Sequence, residues 1–186
     1  MPAADEQLLI SRARKGSQEA FRVLVERHMK HAYNVAFGFV GNHEDAADVA
    51  QEAFVRAHRG LPSFREEAEF GTWIHRIVFN LAMNQVKKKR ARAEHEVPAA
   101  DPAARGASEE GGNTPGGEDL RGEIERALHE LPTLQRAVVI LRHMDGLSTK
   151  QVSRILRCSE GTVKTHLFRG LRKLRAKLEY LQEDPA

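Results

Sequence analysis

The chain has 186 residues, 41% apolar and 30% charged, enough for one ordinary domain or two small ones and too apolar for a disordered chain. No apolar run reaches the ~20 residues a membrane span needs, and Asp5 and Glu6 stand where a signal peptide carries positive charge; a soluble, cytoplasmic protein without membrane insertion is expected. The single cysteine, Cys158, excludes an internal disulfide or a zinc site of several thiolates and fits a reducing compartment. The net charge of +3 is an average over unequal parts: residues 1–92 hold 15 basic and 11 acidic residues, 93–119 hold 1 and 7, and 120–186 hold 13 and 8. Two basic blocks flanking an acidic strip suit a polyanionic partner at both ends.

In the first block, a stripe of Phe21, Leu24, Val25, His28, Ala32, Val35, Ala36 and Phe39 at steps of three and four predicts a helix that begins after Gly16 and stops at Gly38 to Gly41. Asn42 with Asp45 three residues on resembles a capping box and opens a second helix, which turns Val49, Ala50, Ala53, Phe54 and Ala57 inward and ends before Leu61-Pro62. A charged loop, Ser63 to Glu69, leads to a third helix with Phe70, Trp73, Ile74, Ile77 and Leu81 on one side, finishing in Lys87-Lys88-Lys89-Arg90. Residues 93–119 hold three prolines, five glycines and no aromatic residue and read as a flexible acidic linker. Its 27 residues reach ~90 Å when extended and span only ~30 Å as a free coil.

Residues 120–186 begin with two helical stripes, Leu120, Ile124, Ala127, Leu128, Leu131 and then Leu134, Ala137, Val138, Leu141, the first closed by Pro132 and the second near Asp145-Gly146. Ser148 and Gln151 form a capping box for a helix holding Val152, Ile155 and Leu156. A tight break at Arg157-Cys158-Ser159 precedes a long final helix with Val163, Leu167, Leu171, Leu174 and Leu178 expected inside. This is a helix-turn-helix, whose second helix enters the DNA major groove. With that apolar face inward, Lys164, Thr165, His166, Phe168, Arg169 and Arg172 project outward. Lys and Arg suit guanine O6 and N7, Thr suits several bases, and an aromatic edge suits a thymine methyl. Arg172, Lys173, Arg175 and Lys177 lie further along, where phosphate contact is expected. The fold class is thus all-α: two small helical domains, 1–92 and 120–186, joined by the linker 93–119.

The stretches DAADVAQEAFVRAH (Asp45 to His58), FREEAEFGTWIHRIVFNLAMN (Phe64 to Asn84), LPTLQRAVVILRHMDGLS and GTVKTHLFRGLRKLR, in this order, resemble the extracytoplasmic-function sigma factors of bacterial RNA polymerase. The resemblance implies a sigma-2 domain whose helix docks on the beta-prime clamp helices of core polymerase through Asp45, Asp48, Gln51, Glu52, Phe54 and Arg56. It implies that the loop and following helix melt and read the promoter minus-10 element, with a flipped base held near Phe64, Arg65 and Phe70, Asn80 and Asn84 on one helical face reading bases, and Lys87, Lys88 and Arg90 on upstream phosphates. It implies a sigma-4 domain that meets the beta flap and reads the minus-35 element through Lys164, Thr165, Phe168 and Arg169. An anti-sigma factor that restrains the protein is a further implied partner.

Two features depart from the family pattern: Lys150 and Gln151 follow Gly-Leu-Ser where acidic residues are common, and Arg65 to Glu69 is acidic for a segment near DNA. His28 and His31 have ligand-like spacing, but no further ligand can be placed, so no metal site is expected. No cofactor, small-molecule substrate or catalytic residue is assigned, since the chain shows no phosphate loop, nucleophile elbow or acid-base pair. The rival expectations are a helix-turn-helix regulator that does not enter polymerase, which leaves Asp45 to Arg56 without a use, and a His-dependent metal hydrolase with an accessory DNA domain.

Overall fold

Ser17, Asn42, Ser148 and Ser159 each place a side-chain oxygen against the backbone N–H three residues on, so four of the helix starts are fixed by local hydrogen bonds. The structure, a computed structural model, describes residues 2–64, 69–95 and 117–179, with only the backbone described at 2–4, 93–95, 117–119 and 121. In chain order it contains α1 (Pro2–Arg14), α2 (Gln18–Val40), α3 (His43–Gly60), a short 3-10 turn (Leu61–Ser63), α4 (Phe70–His95), α5 (Gly117–His129), α6 (Thr133–Val139), a π-turn (Ile140–Met144), α7 (Thr149–Leu156) and α8 (Glu160–Leu178). The described residues hold no strand.

Helices α1 to α4 form the N-terminal unit, with α2 packed on α1, α3 and α4. Leu24, Val35, Phe39, Ala53, Phe70, Ile74 and Val78 are sealed in its core; each large apolar side chain among them stabilises the fold by roughly 1.5–3 kcal/mol. Gly41 ends α2 at φ 74°, a left-handed conformation that costs glycine little, and its N–H bonds the Phe37 carbonyl. Helix α1 has no counterpart in the expected elements; Ile10 and Ala13 fix it to the core.

In the C-terminal unit, α6 and the start of the π-turn are buried from Gln135 through Leu141, including the polar Gln135 and Arg136. The cause is position: α8 packs against α6, and the π-turn that continues it packs against α2 of the other unit. The π-turn replaces the regular helix expected up to Asp145. Ser148 and Gln151 make the reciprocal capping box, and Arg157 takes the left-handed turn conformation at φ 54° that separates α7 from α8. At Gly170 a Cβ would stand 2.9 Å from Val139 Cγ2, so the absence of a side chain lets α8 lie close against α6.

The two units are packed together. Ala137, Val138, Ile140, Leu141, Val152, Ile155 and Val163 join the apolar cluster built by α1 to α4, α7 lies on α4, and α5 touches α2. Ile140 seats on Gly38, with Cδ1 2.8 Å from where a Cβ would be, and the Arg136 guanidinium lies 5.9 Å from the centre of the Phe39 ring.

Several sequence expectations change. The linker expected at 93–119 falls on residues 96–116, outside the described part, while 93–95 and 117–119 are helical extensions of α4 and α5. Leu120 and Ile124 are exposed and line a groove of about 390 Å³ with Tyr33, Phe37, Leu128 and Met144. Leu134 and Leu171 are also exposed, because α8 is seated through Val163, Gly170 and Leu174.

Candidate nucleic-acid interface

Helix α3 presents Asp48, Gln51 and Arg56 to solvent and Glu52 partly, with the Glu52 carboxylate accepting from Arg56 Nε at 2.7 Å. Phe54 does not join this face: at 4% exposure it belongs to the core stripe of Ala46, Val49, Ala50, Ala53 and Ala57, as its inward spacing predicts, which corrects the docking contact that the resemblance implies for it. The apolar surface residue on α3 is its neighbour Val55, 43% exposed, which spacing from Asp48 and Gln51/Glu52 places on the outer face. Beside this face runs a groove lined by Met29, Lys30 and Tyr33 of α2 and Ala47, Ala50 and Gln51 of α3. Sequence reasoning missed Val55, Met29 and Tyr33; the i, i+3, i+4 arithmetic that assigns Val55 outward was available in the sequence.

Asp45 has a different situation. Its Oδ1 accepts from Gln85 Nε2 of α4 at 2.7 Å, and its Oδ2 meets both Asn42 Nδ2 and Lys89 Nζ. Burial acts to raise its pKa, but the hydrogen bonds from Lys89, Asn42 and Gln85 outweigh it and hold the carboxyl below its usual range. Asp45 therefore braces the start of α3 against the last turns of α4.

On α4, Asn80 and Asn84 are exposed on one face, and Lys87, Lys88, Arg90 and Arg92 are exposed beyond them. Arg65, and with it residues 66–68 of the loop, lies outside the described residues. Phe64 and Phe70 are 4% and 1% exposed. Phe64 packs against Trp73 at 4.8 Å and against Phe70 edge-on at 6.0 Å between ring centres. The two rings are not available for base stacking here; an aromatic with two ring neighbours gains more from burial than from exposure, and the cluster anchors both ends of the loop.

Helix α8 exposes Lys164, Thr165, Phe168, Arg169, Arg172 and Lys173, while His166 is half-buried. Phe168 is 66% exposed, the most exposed large apolar side chain among the described residues, with the Arg172 guanidinium 5.9 Å from its ring centre. Thr165 Oγ1 donates to the Gly161 carbonyl at 3.0 Å, leaving its lone pairs free to accept. Glu160 is the only acidic residue on the helix. An exposed aromatic held beside arginines, on a basic helix following a tight turn, has the make-up of a groove-reading surface.

His28 and His31 face different partners: His28 Nε2 lies 3.4 Å from the Glu6 carboxylate, and His31 Nδ1 lies 2.7 Å from Asp145 Oδ1. Burial lowers the His28 pKa against the opposing pull of Glu6. Among the described residues no group of three or more His, Cys, Asp or Glu side chains is arranged to hold a metal. Burial likewise pushes the Cys158 thiol up, toward the unreactive thiol form. No helix in the described part is long and apolar enough to cross a membrane.

Family models match the chain in two places, sigma-70 region 2 over residues 24–92 and sigma-70 region 4 over residues 121–174. An ECF RNA polymerase sigma-E factor of Escherichia coli K12 is 34% identical over 183 residues, covering 95% of each chain. The sigma-E factor of Haemophilus influenzae is 32% identical, covering 95% of this chain and 96% of its own. Among solved structures, CnrH in complex with the cytosolic domain of CnrY aligns with a TM-score of 0.69 at 24% identity, over 94% of this chain and 97% of that one. The sigma factor RpoE of Bartonella quintana, in complex with the anti-sigma factor NepR, aligns with a TM-score of 0.68 at 22% identity, over 86% and 96%. These two likenesses concern the fold.

Proposed function

From the premise that this chain belongs to the extracytoplasmic-function sigma factors of the sigma-70 family, we propose that it binds core RNA polymerase and directs it to promoters, where it opens the DNA and starts transcription. The observation that carries this is the pairing, in one chain and in order, of region 2 and region 4 with relatives matched over nearly their whole length.

In this account residues 1–92 form the core-binding and minus-10 domain and residues 120–186 the minus-35 domain, with 93–119 between them, the helix ends 93–95 and 117–119 flanking the linker proper at 96–116. Asp48, Gln51, Glu52 and Arg56, with Val55, form the surface for the beta-prime clamp helices: charges around an apolar residue beside a groove, complementary to a basic partner helix. Asn80 and Asn84 offer carboxamides to bases unpaired by melting, and Lys87, Lys88 and Arg90 neutralise phosphates upstream. Lys164, Thr165, Phe168 and Arg169 read the minus-35 element, His166 flanks them, and Arg172 and Lys173 hold the backbone; the same unit meets the beta flap. The protein supplies no bond-breaking chemistry; polymerisation belongs to the partner. It acts in the cytoplasm, where core polymerase and DNA are, and an anti-sigma factor restrains it.

A spacer of ~18 base pairs at ~3.4 Å per step separates the two promoter elements by ~60 Å. With 93–95 and 117–119 in helices, the remaining 21 residues, 96–116, reach ~70 Å when extended, which still exceeds that distance, and the strip's negative charge suits passage through a polymerase channel built for nucleic acid.

Co-sedimentation tests this function. The protein is expected to travel with core polymerase, and Asp48→Ala with Gln51→Ala to weaken that association without altering the fold. Tight, specific promoter binding by the free protein with no core association would instead identify a regulator that acts outside polymerase.

A further inference from the structure

Region 4 is joined to region 2 by a buried charged contact as well as by apolar packing. Asp145 ends the π-turn, and its side chain is 2% exposed. Its Oδ1 accepts from His31 Nδ1 of α2 at 2.7 Å. Its Oδ2 lies 2.5 Å from His75 Nε2 of α4, off the line of a hydrogen bond, so this second contact is one of close approach. The His75 side chain is 6% exposed, whereas His31 is 56% exposed at the rim. Both imidazoles belong to region 2 and the carboxylate to region 4. His28, three residues before His31 on α2, and Glu6 of α1 extend the polar cluster toward α1, where it is more exposed. A second polar bridge joins the units nearby, from Gln151 Nε2 of α7 to Glu69 Oε2 at 2.6 Å.

A carboxylate taken out of water is tolerated only where partners replace its hydration, and removing one member of such a set leaves the others buried and unpaired. The cluster therefore makes docking of the two units specific, because any other register strands Asp145 or His75. Docking also has a functional consequence, which rests on the sigma-factor account above. Helix α7 packs on α4 and on α8, so the two DNA-facing helices lie within about two helix diameters, ~20 Å. Promoter elements ~60 Å apart cannot both be held by this arrangement.

We propose that the packed form is a self-inhibited state locked by insertion of Asp145 between His31 and His75, and that the lock must open before the protein takes up both promoter elements. The apolar contact of Ile140 with Gly38 and the cation–π contact of Arg136 with Phe39 supply area, and Asp145 supplies the register.

Small-angle scattering of the free full-length protein tests the lock without polymerase. A compact chain of this length has a radius of gyration of ~16 Å, and two separated units exceed ~20 Å. Asp145→Asn is expected to raise the radius by ~4 Å or more with helix content unchanged. His31→Gln, at an exposed position that does not threaten the fold, shifts it in the same direction. Exchange of the charges, Asp145→His with His75→Asp, brings the radius back toward the wild-type value relative to either single change. With limiting core polymerase, Asp145→Asn reaches half-maximal transcription at about tenfold lower concentration if the closed form dominates the wild type. An unchanged radius in both Asp145→Asn and His31→Gln overturns the lock whatever transcription does. A larger radius with unchanged concentration dependence overturns the inhibition. A larger radius in a protein whose wild type never supports transcription upholds the contact and refutes the sigma-factor account instead.

Discussion

Asp45 stands in the motif to which the family resemblance gives a polymerase-docking role, yet its carboxylate is engaged inside the molecule, and Asp45→Ala separates the two roles. The side chain is 14% exposed, and the substitution removes its contacts with Asn42, Gln85 and Lys89. Hydrogen bonds to a charged group contribute ~1.5–3 kcal/mol each; Lys89, 57% exposed, adds little through solvent. Allowing for partial exposure, the loss is ~2–3 kcal/mol, and at ~2–4 °C per kcal/mol for a chain of this size the melting temperature falls by ~4–12 °C. The pH dependence has a definite sign. Because the folded carboxyl titrates below its ordinary 3.8, its stabilisation is present above that value and is lost as pH falls through the folded one. The gap between wild type and variant is therefore full at neutral pH and closes only in acid. Thermal melts followed by circular dichroism at pH 7 and below pH 4 measure it. A variant that melts within ~1 °C of wild type at pH 7 while losing core polymerase would refute the brace and return Asp45 to the docking surface.

Three further outcomes follow from the same geometry. Lys164→Ala should relax base preference at one minus-35 position, by ~1–3 kcal/mol of discrimination, whereas Lys173→Ala should weaken all sequences alike and flatten the salt slope by ~0.9, both read by holoenzyme binding to mutated promoters over a salt series. Gly170→Leu should destabilise region 4 by ~1–3 kcal/mol in urea unfolding, since its side chain meets Val139 Cγ2 and the Gln135 carbonyl, although leaving glycine gains up to ~1 kcal/mol of helix propensity. Burial, with the charge of Arg136 in the second case, holds the pKa values of His28 and His129 below their ordinary 6.5. Stability is then full above that value and declines as pH falls below it through the lowered ones; His129→Gln should make the decline shallower in urea melts between pH 7 and 5.

What the sequence made legible was local. The caps at Asn42, Ser148 and Gln151 and the helix-turn-helix are set by contacts within a few residues, and they stand as expected. Helix α1 was not legible, because among its described side chains only Ile10 and Ala13 are buried, with Leu9 packed partly against the core. Spacing places Phe54 on the inward stripe with Ala50 and Ala53, and its burial agrees with that; the docking role came only with the resemblance, which does not separate a motif's contact residues from its core ones. The brace at Asp45 depends on Gln85 and Lys89, 40 and 44 positions away, which no periodicity reports. Leu120 and Ile124 continue a helical stripe, but that stripe lines an open groove between the two units rather than a closed core. The packing of region 4 on region 2 through Asp145, His75, Ile140 and Gly38 likewise rests on pairs far apart in sequence.

The central claim, that this chain gives core polymerase its promoter specificity, is tested most directly by run-off transcription with purified core enzyme on templates bearing candidate minus-35 and minus-10 elements. The account predicts a transcript of defined length that requires both elements and the added protein, and that is lost when Asn80 and Asn84 are replaced by alanine while core association persists. Core enzyme that produces no promoter-dependent transcript on any such template, in the presence of folded protein shown to bind it, would contradict the account.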